Sequence, residues 1–227
     1  MHGKMPTSNF PRLFKLAIAI PVIVICGHLV AEPFLSAAHK QWWLGENGPT
    51  EIAQFLILIG AAITALATLV TMNRGKDPLL TLWIAIALIC CIYVAGEEVS
   101  WGQWFFYWDT PEHWAAMNDQ GETNLHNTSA WLDQKPRLIL EIGVYIGGLI
   151  IALVAKFRPT RLPARFNTFY PDIALTPLAL GIVTTKIIQT ITGTFYRSSE
   201  LQELMLFTFV LFYLIILHLR ARTSKHQ

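Results

Sequence analysis

The chain has 227 residues, 53% of them hydrophobic and 14% charged, with a mean hydropathy of +0.44. That is too apolar for an ordinary soluble domain and points to a polytopic membrane protein. The net charge of +2 favours no particular partner, no nucleic-acid role is expected, and no zinc-type cysteine spacing is present.

A membrane-spanning helix needs roughly 20 mostly apolar residues. Six segments qualify: Leu13–Ala31, Glu51–Met72, Leu79–Ala95, Leu138–Phe157, Ile173–Ile191 and Leu201–Leu219. The first has a basic flank (Arg12, Lys15) and small residues at Ser36-Ala37-Ala38, as a secretory signal has. Its apolar stretch is longer than a signal's core, so it reads as a retained helix, kinked at Pro21. Cys26, Cys90 and Cys91 all lie inside apolar runs and read as reduced packing residues. No repeat or second domain interrupts the pattern. The expected architecture is all-α, a polytopic transmembrane helical bundle forming one integral membrane domain over 1–227.

Loop lysines and arginines set orientation. With the N-terminus inside, twelve fall on the inner side and four (Lys40, Lys135, Arg137, Arg197) on the outer, with Lys186 inside the fifth span. Both termini are expected in the cytoplasm. Acidic residues run the other way: only Asp77 and Asp172 lie in inner loops. An outward-facing site for a metal or cationic group accounts for this asymmetry, as does a solvated outer surface.

The longest outer connection covers about residues 100–136, long enough to carry structure of its own. Trp101, Trp104, Phe105, Phe106, Tyr107 and Trp108 open it and read as an interfacial aromatic belt, or as a wall for an acyl or prenyl chain. Thr110 as cap, Pro111 at the first helical position and Glu112 in the first turn predict a short helix. Trp114 and Met117 would lay it on the membrane surface, and Asn118-Asp119-Gln120-Gly121 would end it. Pro136 is expected to open the fourth span.

The loop is flanked by a polar island. Gly96-Glu97-Glu98-Val99-Ser100-Trp101-Gly102-Gln103 ends the third apolar run, and Gln120-Gly121-Glu122-Thr123-Asn124-Leu125-His126-Asn127 follows. Carboxylates at the end of a span are costly and mark candidate sites. Glu97 and Glu98 cannot share a helix face, so one should point into the bundle and the other to its edge. Glu122 and His126 are four apart and would share a face on a helix. Catalytic candidates are Glu97, Glu98, Glu122 and His126; Glu98, Glu122 and His126 could hold a divalent metal ion of the zinc, iron or manganese type. A metal-free acid–base site is equally physical. Ser100 reads as a capping or carboxylate-binding hydroxyl, or as a nucleophile. Gln103, Gln120, Asn124 and Asn127 offer a competing role: a hydrogen-bonded plug that pins the loop to the bundle.

Lys186 interrupts the fifth span and needs a partner or water, with Glu141, Glu97 and Glu98 as candidates. His28 and Glu32 form another pair four apart, His39 and His113 are expected at the interface, and His218 lies at the inner end of the last span.

The two island motifs resemble a group of uncharacterised bacterial polytopic membrane proteins, over about 32 residues; the resemblance implies a bacterial inner membrane and no particular chemistry. Glu46-Asn47 with Glu51-Ile52-Ala53-Gln54-Phe55 is also similar to the acidic start of the first core helix of alkaline ceramidases and related membrane hydrolases. That resemblance implies a zinc held by three histidines with serine and aspartate nearby, a set this chain does not offer. The leading expectation is metal-assisted hydrolysis or group transfer on a lipid or lipid-linked substrate. An ion- or proton-coupled transporter and a non-catalytic subunit with partner membrane proteins are the alternatives.

Overall fold

The computed structural model describes residues 10–45, 47–72, 77–118, 121–125, 128–193 and 195–223. Helix α1 (Pro11–Ala31) leads through a tight turn to short α2 (Ala37–Leu44), then to α3 (Pro49–Thr71) and α4 (Pro78–Glu98). Two single-turn helices, α5 (Gln103–Phe106) and α6 (Glu112–Ala115), sit in the long connection. Helix α7 (Ala130–Tyr145) runs through a π-helical stretch, Ile146–Ile151, into α8 (Ala152–Phe157), and α9 (Thr176–Thr192) and α10 (Ser198–Thr223) complete the chain. Among the described residues no strand occurs, and six helical stretches are long and apolar enough to cross a membrane. They coincide with the six expected segments. Six crossings would put Pro11 and Thr223 on one face and the polar island on the other.

Local chemistry explains where the spans begin. A proline stands at the start of α1, α3, α4 and α9, where its missing N–H would have had no helical partner. Asp77 caps α4 by accepting from Leu80 N at 3.0 Å. Glu51 reaches back from the first turn of α3 and accepts from Asn47 N at 2.8 Å, which ties the approach to that helix onto its first turn. Ser36 caps α2 through the backbone N–H of His39, so Ser36-Ala37-Ala38 opens a helix.

The spans close around α10. Over half of its apolar window is buried, 56%, against 11% for α1, so α10 is the hub and α1 lies outermost. Leu175, Leu178, Ile182, Met205, Leu206 and Ile216 are fully enclosed between α9, α10 and their neighbours. Ala61, Ala65, Ile84, Leu214 and Leu217 form a second cluster where α3 and α4 meet α10. Apolar burial between helices gains little over lipid, so close packing must supply the cohesion, and small residues permit it. Gly181 is the sharpest case: a Cβ there would overlap the ring of Pro21. Pro21 stays inside a continuous α1, buried in that notch.

Helix α7 starts at Ala130, and Pro136 lies inside it at the start of the apolar stretch Lys135–Phe157 that is long enough to span, as expected. Of the three unpaired cysteines only Cys91 is buried; Cys26 and Cys90 are exposed on the outside of the bundle instead of packed within it. Near the end of α10, Arg220 donates to Tyr170 O (2.7 Å) and Thr168 O (3.2 Å) and reaches Asp172 Oδ2 at 3.4 Å, tying the 158–172 connection to α10.

Candidate functional site

The island assembles because α4 ends in a sharp reversal. Ser100, Trp101 and Gly102 take left-handed backbone conformations in succession, with φ of 46°, 55° and 102°. Gly102 tolerates this freely, whereas Ser100 and Trp101 do so at a cost that their surroundings must offset. The reversal folds the Trp101 indole back over α4. A Cβ on Gly96 would stand 2.8 Å from that ring, so only glycine admits it. Trp101 Nε1 then donates to Glu97 Oε1 at 2.6 Å.

Both halves of the island meet. Leu125 N donates to Glu97 Oε2 at 2.7 Å, so one carboxylate ties the return strand of the loop to the end of α4. Glu97 is 4% exposed, and Glu98 sits half-buried at the bundle edge, as the helix geometry demands. Glu122 approaches from the other half. Its Oε2 accepts from the Ser100 hydroxyl at 2.5 Å and from Asn124 Nδ2 at 2.9 Å, and its Oε1 from Trp104 Nε1 at 3.3 Å. Asn124 Nδ2 also lies 2.9 Å from Ser100 Oγ. Asn118 braces this pair by donating to Asn124 Oδ1 at 2.7 Å and accepting from Glu122 N at 3.2 Å. Ser100 is fully enclosed and Asn124 nearly so, while Glu122 keeps partial exposure.

Gln103 stitches the next layer. Its Oε1 accepts from Thr123 N and Thr123 Oγ1, both at 2.9 Å, and its Nε2 donates to Thr110 Oγ1 at 2.7 Å. Thr110 in turn donates to Gly121 O at 2.5 Å. Thr110 therefore closes the loop instead of capping α6, whose cap position falls to Pro111 without a side-chain bond. Trp114 is half-buried beside His113, and Met117 is exposed.

Residues 121–125, which carry Glu122, are irregular rather than helical, because side-chain bonds to Asn118, Ser100 and Glu97 hold them in place of a helical ladder. His126, Asn127, Gln120 and Glu46 lie outside the described residues. Among the described residues no group of three histidine, cysteine or acidic side chains converges as a metal site. Sequence reasoning missed the roles of Asn118, Thr110 and Thr123, and it read Trp101 and Trp104 as interfacial belt when their indole N–H groups bind the carboxylates. An indole N–H in an apolar loop wants an acceptor, and that was the available signal.

A second polar group lies inside the spans. Lys186 of α9 pairs with Glu141 of α7, which Arg137 approaches at 3.9 Å. Arg137 also binds Glu203 of α10 at 3.0 Å. Glu141 is buried, so Lys186 does find the partner its position required, and that partner is Glu141 rather than Glu97 or Glu98. Near the end of α1, His28 Nε2 and Glu32 Oε2 are 2.6 Å apart, and Glu32 also accepts from Tyr196 N at 3.1 Å. His218, at the opposite face, bonds Thr68 at 3.0 Å. No family model matches the chain, and no curated protein or solved structure is similar to it.

Proposed function

We propose that the protein is a bacterial inner-membrane hydrolase or group transferase that acts, from the periplasmic side, on the headgroup of a lipid or lipid-linked substrate. The twelve-to-four distribution of loop lysines and arginines supports cytoplasmic termini and an outward-facing island. One observation carries the reading: the Ser100 hydroxyl is held 2.5 Å from Glu122 by a left-handed backbone that serine does not favour. Strain kept at a polar site is a pointer to function. In this reading Glu97 is the structural carboxylate, closed in by Trp101 and Leu125. Glu122 and Glu98, both partly exposed, face the substrate. Glu122 takes a proton from the attacking water or hydroxyl, Ser100 and Asn124 fix its orientation, and the aromatic residues from Trp101 to Trp108 seat the lipid at the interface.

A divalent metal ion held by Glu98, Glu122 and His126 is the metal-assisted form of the same reading. Glu122 already accepts three donors, two of them on Oε2, so an ion would compete with Ser100 and Asn124 there or share Oε1 with the Trp104 indole. The metal-free form is the one this geometry favours.

The test is turnover of a bacterial lipid extract by the purified full chain, read by mass spectrometry of released headgroups. Glu122→Gln should abolish release while the protein remains folded and monodisperse. Release that persists in that variant, or a wild-type chain that consumes no lipid, sinks the proposal. The second outcome returns the island to a hydrogen-bonded plug in a non-catalytic subunit, a reading that the full pairing of Glu97 favours.

A further inference from the structure

The connection that leaves α8 carries Lys156, Arg158, Arg161 and Arg165 within ten residues, and Asp172 is the one acid between residues 156 and 175. Asp172 is already engaged: it accepts from Ala174 N at 3.0 Å and meets Arg220 at 3.4 Å. All four cations are exposed. Among the described residues, no carboxylate pairs with any of them.

Charge alone can hold a loop on one side of a membrane, and for that the loop need not be folded. This one is. Tyr213 of α10 donates to Phe169 O at 2.8 Å, Arg220 donates to Thr168 O and Tyr170 O, and Tyr170 donates back to Pro163 O at 2.9 Å. Pro159 opens a tight turn, Pro159–Arg161, and Pro163 stands before a second, Ala164–Phe166. In the second, Arg165 lies over the Phe166 ring at 4.5 Å.

The first turn leaves its arginines without such a partner. Arg161 N donates to Arg158 O at 3.0 Å, which closes the turn and holds the two Cα atoms within about 7 Å. Residues three apart in a turn of this kind share one edge. Two like charges on one edge favour an anion between them, and the guanidinium fork matches the oxygens of a phosphate. Height selects the source of that phosphate. Arg158 is the first residue past α8, and Phe157, 71% exposed, ends the apolar span just before it. An exposed ring at the end of a span, followed at once by unpaired arginines, matches the boundary between acyl chains and anionic headgroups.

We propose that the Arg158–Arg161 turn binds the phosphate of an anionic phospholipid in the leaflet at this end of α8. No island residue takes part, so the site stands or falls independently of the chemistry proposed there.

The experiment is native mass spectrometry of the delipidated full chain in neutral detergent, titrated with phosphatidylglycerol or with phosphatidylethanolamine of the same chain length. Phosphatidylglycerol should bind the more tightly. Arg158→Gln with Arg161→Gln should weaken its binding about 25-fold, a factor of about five for each charge. Arg158→Lys with Arg161→Lys keeps the charge that orients the chain and should still weaken binding about fivefold, because an ammonium cannot take two phosphate oxygens in parallel. Arg12→Gln with Lys15→Gln removes the same charge without touching the turn and should leave binding within about twofold of the wild type. Each variant should unfold at the wild-type temperature in the absence of lipid. Equal binding of the two lipids, unchanged binding in the glutamine or lysine pair, or an equal loss in the Arg12 and Lys15 pair would overturn the assignment. So would displacement of the lipid by equimolar glycerol phosphate, which would make a soluble phosphate the ligand.

Discussion

The two polar regions of this molecule solve the same problem by opposite means. In the island, Glu97 and Glu122 are bound by neutral donors: two indoles, a serine hydroxyl, an asparagine amide and a backbone N–H. Inside the spans, Glu141 is bound by cations, Lys186 and Arg137. The difference follows depth. At the interface a carboxylate can keep its charge if several dipoles converge on it, and those dipoles fix a loop in place. Deeper down, a lone charge has no such shell, and only an opposite charge on a neighbouring helix makes the position tolerable. The island therefore organises a loop, and the ion group organises helix against helix.

Breaking the comparison at its deepest point should have the largest effect. Glu141→Ala leaves Lys186 and Arg137 without their shared carboxylate and should cost about 3 kcal/mol, the lower end for a broken buried pair because Lys186 is half-exposed. Equilibrium unfolding in mixed micelles reads this, and a loss below that of the island variants would undo the contrast.

Glu97→Ala should come next, at about 1–3 kcal/mol for the abandoned Leu125 N–H and Trp101 indole. Its signature is local. Limited proteolysis should cut the 112–125 segment while the six spans stay protected, and uniform protection would show that the loop is held by other means.

The smallest and sharpest effect is at Ser100. Ser100→Ala loses the bond to Glu122 and keeps the left-handed strain, whereas Ser100→Gly loses the bond and relieves the strain. The glycine variant should be the more stable of the two by about 1 kcal/mol. An alanine variant as stable as the glycine variant would mean that the backbone at this reversal is not strained.

Hydropathy alone located every span, because lipid imposes one length and one polarity on each. The in-and-edge split of Glu97 and Glu98 was also legible, since adjacent residues on a helix face different ways. So was a match between Lys186 and Glu141, which rests on depth. The loop was another matter. Thr110, Pro111 and Glu112 carry a local helix-start pattern, yet Thr110 is drawn off by Gln103 and Gly121, its neighbours in space. Glu122 and His126 carry a helical spacing, yet the residues from 121 to 125 take their shape from Asn118, Ser100 and Glu97. Periodicity reports what a segment does with itself. It is silent where side chains dozens of residues away supply the bonds.

The π-helical stretch at Ile146–Ile151 has a consequence for how α7 and α8 serve the bundle. One extra residue in a turn rotates everything beyond it by about 100° relative to an unbroken α-helix. Arg137 and Glu141 lie before that offset, Gly148, pressed against Phe209 and Ala179, lies within it, and the buried Ala152 and Ala155 follow it. The stretch thus works as a phase shifter within one span. It lets the upper half aim its charges at α9 and α10 while the lower half aims its small residues at their walls, and each half keeps a facing that the other does not dictate.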